Sequence, residues 1–198
     1  MPGLTCLNSD HLQSETRMPC EFQPDYSTPD GRYRIGLAVP EHLACLPAIE
    51  RAAASLFPDA VLPAPLREQV TTQEALARAH AAGRVWVAVS ASGEPVAFAL
   101  AELEGAVAHL CEVDVHPHHQ RQGLGACLID AVVRWARDGQ ASTLTLTTFS
   151  TLAWNAPYYA RLGFCQVPED ELSAALRQRL LAEHEAGLRD RVAMVLSL

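Results

Sequence analysis

The chain has 198 residues, a length that fits one domain of ordinary size and can bury a core without disulfide or metal support. Its 15 basic and 23 acidic residues give a formal charge of −8, which argues against nucleic acid as the default partner and favours cationic ligands. All the basic residues are arginine, so a Walker-type phosphate loop and a lysine Schiff base are both excluded.

No apolar run reaches the roughly 18 residues that a membrane-spanning helix requires, so we expect no membrane partner. The six cysteines are scattered without a CxxC pair, which favours reduced thiols in a cytoplasmic protein. Residues 1–31 are rich in Ser, Thr, Pro, Asp and Gln and show no sustained period. This composition predicts a flexible extension, followed by one domain over residues 32–198.

The first half of the domain combines helices with strands. The predicted elements are, in chain order, a strand at 32–39, a helix at 41–56, a loop at 57–65, a helix at 66–82 and strands at 84–90, 95–103 and 106–115. Turn dipeptides, Ser92-Gly93 and Glu104-Gly105, separate the last three strands. These strands are therefore predicted to form an antiparallel meander.

The strongest periodic signal lies in the helix that follows the meander. Its apolar residues recur at intervals of three and four, which predicts one buried stripe: Leu124, Cys127, Leu128, Ala131, Val132 and Trp135. The remaining predicted elements are a strand at 142–149, a helix at 155–162, a helix at 169–186 and a strand at 192–198. The order of elements predicts one α+β domain with a mixed sheet.

A glycine-containing loop joins the last strand of the meander to this helix. Gly123 and Gly125 allow backbone N–H groups to approach a ligand without a Cβ in the way. The first N–H groups of a helix have no internal partners and lie at the positive end of its dipole, which suits a pyrophosphate. Arg121 adds a positive charge. A dinucleotide-binding loop would need a third glycine where Leu128 stands, and the plainer alternative is a tight turn that begins a helix.

Two segments resemble signatures of the GNAT acyltransferase superfamily. The loop Gln120–Gly125 is similar to that family's (Gln/Arg)-x-x-Gly-x-(Gly/Ala) acyl-coenzyme-A loop. The segment Trp154–Phe164 resembles its second signature, an Asn followed by Tyr-x-x-x-Gly-Phe. The resemblance covers residues 32–198 and implies a mixed, mostly antiparallel sheet flanked by helices. In that fold the family's fourth and fifth strands splay apart and admit the pantetheine arm of acetyl-coenzyme A.

The resemblance implies a binding site for acetyl-coenzyme A and no metal. The backbone of Val113 and Val115 would pair with the pantetheine amides, and Asn155 would hydrogen-bond the arm near its thioester. Main-chain N–H groups of the loop would cradle the pyrophosphate, at Gln120, Arg121, Gln122, Gly123, Leu124, Gly125 and Ala126. The histidines that precede the loop do not have a spacing that places three metal ligands on one face.

The resemblance also implies a general base and a general acid. Glu112 is the favoured base, and Asp114, which shares its face of the strand, is the alternative. A carboxylate among apolar neighbours has a raised pKa, which suits the deprotonation of an amine. Tyr159 matches the family tyrosine that donates a proton to the departing sulfur. The adjacent Tyr158 is the alternative acid, and a tyrosine that only packs in the core is the plainer explanation.

The expected function is transfer of an acetyl group from acetyl-coenzyme A to a primary amine, favouring a small molecule as the acceptor. A protein acetyltransferase that acts on an α-amine or a lysine is one alternative. A non-catalytic acyl-coenzyme-A binder or sensor is another. Many relatives form dimers, so a homodimer is among the assemblies that the resemblance allows.

Overall fold

The computed structural model describes residues 25–198. Most of the predicted extension at 1–31 lies outside these residues. Its described part contains a short strand, β1 (Tyr26–Ser27), which pairs with β2 (Tyr33–Leu37). The sheet therefore begins before the predicted boundary at residue 32. The sequence did not indicate β1, because a strand of two residues is too short to show an alternating pattern.

One sheet contains all eight strands of the described chain. The others are β3 (Val85–Ser90), β4 (Pro95–Glu104), β5 (Val107–Val115), β6 (Thr143–Phe149), β7 (Cys165–Gln166) and β8 (Arg191–Ser197). Their order is β1-β2-β3-β4-β5-β6-β8-β7. Neighbouring strands are antiparallel except β5 and β6, which are parallel. The predicted α+β domain with a mixed, mostly antiparallel sheet is confirmed, as is the meander β3–β5.

Helices cover both faces of the sheet. They are α1 (Leu46–Ala54), α2 (Ala64–Arg67), α3 (Gln73–Ala81), α4 (Leu124–Asp138), α5 (Ala156–Arg161) and α6 (Ala174–Glu185). The stripe of α4 buries Leu124, Leu128 and Val132 in the larger core on one face. On the other face, α1 and α3 bury Leu46 and Leu76 against the strands. No helix within residues 25–198 is long and apolar enough to cross a membrane.

The prediction of a single helix at 66–82 is wrong, because the structure has two helices in this region. α2 ends at Arg67, and α3 begins only at Gln73. The segment between them ends in the β-branched run Val70–Thr72, whose side chains lose rotamer freedom in a helix. The hydroxyl of Thr72 then accepts a hydrogen bond from the N–H of Ala75, which caps α3.

The helices predicted at 41–56 and 169–186 begin later than expected. Each is preceded by a 3₁₀ turn, at Pro40–Cys45 and at Glu169–Glu171. α6 begins after Ser173, whose hydroxyl accepts a hydrogen bond from the N–H of Leu176. An N-cap residue has extended backbone angles, so the capped helix cannot continue from the turn before it.

The pairing of β5 with β6 is interrupted. The two strands pair only over Val107–His109 against Thr143–Thr145 and then separate. Among residues 25–198, the edge of β5 from Leu110 to Val115 therefore has no strand beside it on the β6 side. This separation is the splay that the family resemblance implies, at the strands that are fifth and sixth in this chain.

A β-bulge in β5 determines which side chains face the split. Leu100 lies opposite Glu112, whereas the next residue, Ala101, lies opposite Leu110, so Cys111 is the extra residue. One extra residue reverses the alternation of side chains along the rest of a strand. Leu110 faces the core beneath α4, and Glu112 faces α1 together with Leu100. Without the bulge, the carboxylate of Glu112 would point into the core beneath α4.

Candidate functional site

A cavity of about 540 Å³ lies at the split between β5 and β6. Its walls include residues from both faces of the sheet, with Glu112 and Asp114 on the α1 face of β5 and Val113 on the α4 face. Glu50 of α1 and Tyr159 of α5 also line it. The cavity therefore brings two of the sequence-predicted segments together, the strand before the glycine loop and the helix of the second signature.

The carboxylates of Glu112 and Asp114 share one face of β5. They lie opposite Leu100 and Phe98 of β4, two residues apart. Burial raises the pKa of both groups above its ordinary range, and the nearby carboxylate of Glu50 raises both further. The Oδ2 atom of Asp114 is buried without a hydrogen-bond partner in the described chain. A carboxylate with a raised pKa is a stronger base than an ordinary carboxylate, which suits the deprotonation of an amine.

Glu50 is a cavity residue that the sequence analysis missed. Its Oε2 atom accepts a hydrogen bond from the N–H of Thr71 at 2.8 Å. Burial raises the pKa of its carboxyl group, and the hydrogen bonds from Thr71 oppose that rise. The buried residues of α1 on either side of Glu50 are Leu46, Ile49 and Ala53. The sequence did contain a signal for Glu50. It is an acidic residue four positions after Leu46, on the apolar face of an amphipathic helix.

Tyr159 is buried at the inner wall of the cavity. It is 9% exposed, and its ring packs edge-on against Phe164 with centroids 5.7 Å apart. Burial is the main cause that raises the pKa of its phenol, and Tyr158, Asp114 and Glu112 raise it further. The phenol therefore keeps its proton at neutral pH, as a proton donor must.

Tyr158 occupies a different place from its neighbour. Its hydroxyl lies at the first turn of α4, where a Cβ added to Gly125 would come within 3.0 Å of the Tyr158 oxygen. Of the two tyrosines, Tyr159 lines the cavity beside the carboxylates, and Tyr158 does not.

Asn155 has one satisfied and one unsatisfied side-chain group. Its Nδ2 atom donates to the hydroxyl oxygen of Thr148 on β6 at 2.9 Å. Its Oδ1 atom is buried without a partner in the described residues, and the side chain lines the cavity. An unpartnered buried acceptor costs about 1–3 kcal/mol, so this position suits a ligand that donates an N–H group.

The loop before α4 presents backbone N–H groups at the protein surface. Gly123 has φ +77° and immediately precedes the helix. The first helical hydrogen bond runs from the N–H of Cys127 to the Gly123 carbonyl at 3.0 Å. The N–H groups of the three residues between them thus have no partner within the helix. This arrangement suits an anion, as the sequence predicts.

The other predicted cofactor residues are distributed around this loop. Gln120 and Arg121 are exposed, and Arg121 has a left-handed backbone with φ +59°. The side-chain oxygen of Gln122 accepts a hydrogen bond from the guanidinium of Arg32 at 2.5 Å. Val115 packs toward the α4 core at the end of the unpaired edge of β5. Among residues 25–198, no group of three or more His, Cys, Asp or Glu side chains is arranged to hold a metal ion.

An ion pair that the sequence did not predict forms part of the cavity wall. Arg191 of β8 donates from Nε and Nη2 to the carboxylate of Glu183 on α6, at 2.9 Å in each case. The hydroxyl of Thr147 donates to the same carboxylate at 2.5 Å. The guanidinium also lies 4.5 Å from the ring centre of Phe149. This wall depends on how β6, β8 and α6 pack together, which no local pattern encodes.

Comparisons with known proteins agree with this architecture. A sequence model of the acetyltransferase (GNAT) family matches residues 46–164, more than half of the chain. The ribosomal-protein-S18-alanine N-acetyltransferase of Escherichia coli has a similar structure, with a TM-score of 0.60 and 21% identity over 83% of this chain and 93% of that chain. The PaiA N-acetyltransferase of Thermoplasma acidophilum, solved with coenzyme A, has a TM-score of 0.61 and 14% identity over 84% and 99% of the two chains.

A GNAT acetyltransferase of Staphylococcus aureus Mu50 gives a TM-score of 0.64 and 12% identity, over 84% of this chain and 99% of that chain. At such identities the structural likenesses establish the fold. The family match establishes more, because it spans the split strand, the glycine loop and the second signature. The chain therefore belongs to the GNAT family of acetyltransferases.

Proposed function

We propose that the protein transfers an acetyl group from acetyl-coenzyme A to a primary amine of a small molecule. The observation that carries this function is the cavity at the split, which brings the carboxylates of Glu112 and Asp114 together with the phenol of Tyr159. Membership of the GNAT family supports the acetyl donor. The PaiA N-acetyltransferase, which has the same fold, was solved with coenzyme A, and this further supports acetyl-coenzyme A as the donor.

Three features of the chain fit acetyl-coenzyme A as the co-substrate. The buried Oδ1 of Asn155 lacks a donor within residues 25–198, and an amide N–H of the pantetheine arm would supply one. The unpaired edge of β5 at Val113 and Val115 can pair with an extended ligand as with another strand. The loop from Gln120 to Ala126 offers N–H groups to the pyrophosphate. When bound, the thioester supplies an activated acetyl group.

The proposed reaction uses one base and one acid from the chain. Glu112, or Asp114 as the alternative, accepts a proton from the amine as the new C–N bond forms. The backbone N–H near Val113 donates to the carbonyl oxygen, where negative charge develops. Tyr159 donates its proton to the sulfur as the C–S bond breaks. Return of the amine proton from the carboxyl group to the phenolate restores both residues.

The loop between α1 and α2, which borders the cavity, supports a small molecule as the acceptor. Phe57 and Leu62 of this loop line the cavity together with α6. Arg67 holds the loop, because its guanidinium donates to the carbonyl of Leu62 at 2.9 Å and to that of Phe57 at 2.6 Å. A loop fixed in this way favours an acceptor that enters the cavity over a protein segment that lies across it.

Calorimetric titration with acetyl-coenzyme A tests the donor site. We expect micromolar binding by the wild-type protein and at least about tenfold weaker binding by Gly123→Ala. A side chain at φ +77° is strained, so the loop would rotate and turn its N–H groups away from the pyrophosphate. Gly93→Ala is the matched control, because Gly93 has φ +87° and equally open surroundings in the β3–β4 turn.

The two variants separate the site from general backbone strain. Equal loss of affinity in Gly123→Ala and Gly93→Ala would remove the loop from the donor site. Absence of binding by a folded wild-type protein would overturn the proposed function. Release of free coenzyme A thiol in the presence of amines then tests the transfer itself.

A further inference from the structure

The ionisable side chains that line the cavity are not paired one to one. Each of the three arginines between residues 25 and 198 that line it is paired with its own carboxylate: Arg67 with Asp59, Arg179 with Glu102 and Arg191 with Glu183. Glu50, Glu112 and Asp114 line the same cavity, and none of them forms an ion pair within the described chain. Three acidic side chains thus remain without an ion-pair partner among the described residues.

An unsatisfied buried atom indicates what the cavity takes. The Oδ2 atom of Asp114 is buried with no hydrogen-bond partner in the part of the chain that the structure describes, although its carboxyl group lines the cavity. A buried carboxylate is stable when a donor, preferably a cationic one, reaches it. The ammonium or amine N–H of an acceptor is such a donor, so the wall at Asp114 is complementary to an amine.

His109 presents a further acceptor to the cavity. It is 8% exposed and lines the cavity at the last paired residue of β5. The hydroxyl of Thr145 donates to the carbonyl of Ala108 at 3.1 Å, so it accepts from Nδ1 of His109 at 2.9 Å. This assignment leaves Nε2 with a lone pair, and burial lowers the pKa of the ring to about 4. The imidazole is therefore a neutral acceptor.

Glu50 differs from the other two carboxylates in its position. Glu112 and Asp114 lie on β5 beside Tyr159, whereas Glu50 lies on α1. The Thr71 N–H donates to one oxygen of Glu50, and the side chain of Thr71 also hydrogen-bonds this carboxylate. The Glu50 carboxylate is thus oriented in the cavity and separate from the proposed base.

We infer that the acceptor is a primary amine that carries a second positive charge, and that Glu50 binds this second charge. The inference rests on the proposed function and adds the acceptor class to it. The amine that reacts lies at Glu112 and Asp114, and the second cation lies at Glu50. A short aliphatic diamine is the simplest molecule of this class.

Binding of three amines of matched length tests the inference. The protein, saturated with coenzyme A at a slightly alkaline pH, is titrated by calorimetry with tetramethylenediamine, n-butylamine and γ-aminobutyrate. We expect the diamine to bind about tenfold more tightly than n-butylamine, since one charged contact contributes about 1.4 kcal/mol. We expect γ-aminobutyrate to bind most weakly, because its carboxylate would meet Glu50.

Glu50→Gln isolates the charge from the fold. Glutamine keeps an oxygen for the Thr71 N–H, so α1 and the following loop retain their contact. The variant is expected to bind the diamine and n-butylamine equally. Glu68→Gln is the control, because Glu68 is exposed and pairs with Arg51 on the surface, and it should keep the wild-type preference.

The outcomes distinguish the inference from the proposed function. The inference is wrong if wild-type protein binds the diamine no more tightly than n-butylamine. It is also wrong if Glu50→Gln weakens the binding of both amines by the same factor. Loss of coenzyme A binding would instead count against the proposed function. The kcat/KM values for thiol release with the same three amines should follow the same order as the binding affinities.

Discussion

Tyr158 and Tyr159 are adjacent in sequence but have different surroundings, which makes them a matched pair for mutation. Tyr159→Phe removes the phenol proton at the cavity and keeps the ring that packs on Phe164. We expect turnover to fall by about two orders of magnitude, with binding of acetyl-coenzyme A nearly unchanged. Thiol release under saturating substrates measures the fall in kcat.

Tyr158→Phe is the control for this prediction. Its hydroxyl lies beside Gly125 at the first turn of α4, away from the carboxylates. Its loss should therefore affect turnover far less than the loss of the Tyr159 hydroxyl. Unchanged turnover in Tyr159→Phe would remove that residue from the acid role.

The carboxyl group of Asp114 makes the stability of the protein depend on pH. Burial and the charge of Glu50 raise its pKa, so the folded protein keeps a proton that the unfolded chain releases above about pH 4. Folded protein then binds more protons than unfolded protein, and stability falls as pH rises toward the raised pKa. Each kcal/mol lost in this way lowers the unfolding temperature by roughly 2–4 °C.

Asp114→Asn removes this loss without changing the size of the side chain. We expect its unfolding temperature to exceed that of the wild type by at least roughly 2–4 °C at slightly alkaline pH, about 1 kcal/mol. The difference should disappear below about pH 4, where Asp114 is protonated in both states. Thermal melts across this pH range provide the measurement. A difference that is constant across the range would indicate altered packing instead.

At the scale of single elements, periodic patterns predicted the meander and α4 because each has a face that is buried along its whole length. The shared face of Glu112 and Asp114 was predictable for the same reason, since both follow Cys111 on one strand. Which face they share was not predictable. It depends on the bulge at Cys111, and the bulge exists only in the pairing of β5 with β4.

The acceptor side of the site was harder to predict than the donor side. The donor loop is a continuous segment, so its glycines and the helix after them could be read together. Glu50 and the Arg191–Glu183 pair reach the cavity from α1, β8 and α6, which are distant in sequence. Their contribution depends on tertiary packing, and only the polar residue within the apolar face of α1 gave a local signal.

For the whole molecule, the split means that the two parts of the sheet are joined along a short seam. Strands β1–β5 form one part and β6, β8 and β7 the other, and the seam is the pairing of Val107–His109 with Thr143–Thr145. A ligand that pairs with the free edge of β5, and also contacts Asn155 beyond β6, would connect the two parts. Acetyl-coenzyme A should therefore stabilise the fold as a whole.

The size of this stabilisation follows from linkage. At a ligand concentration 100 times Kd, binding to the folded state alone contributes about 2.7 kcal/mol, or roughly 5–10 °C in the unfolding temperature. Hydrogen exchange should slow along the free edge of β5 and at the first turn of α4, because the ligand would accept from those N–H groups. Gly123→Ala should show a much smaller shift at the same ligand concentration. A rise in unfolding temperature without slower hydrogen exchange at β5 would indicate that the ligand binds elsewhere. The two parts of the sheet would then be held together by protein contacts alone.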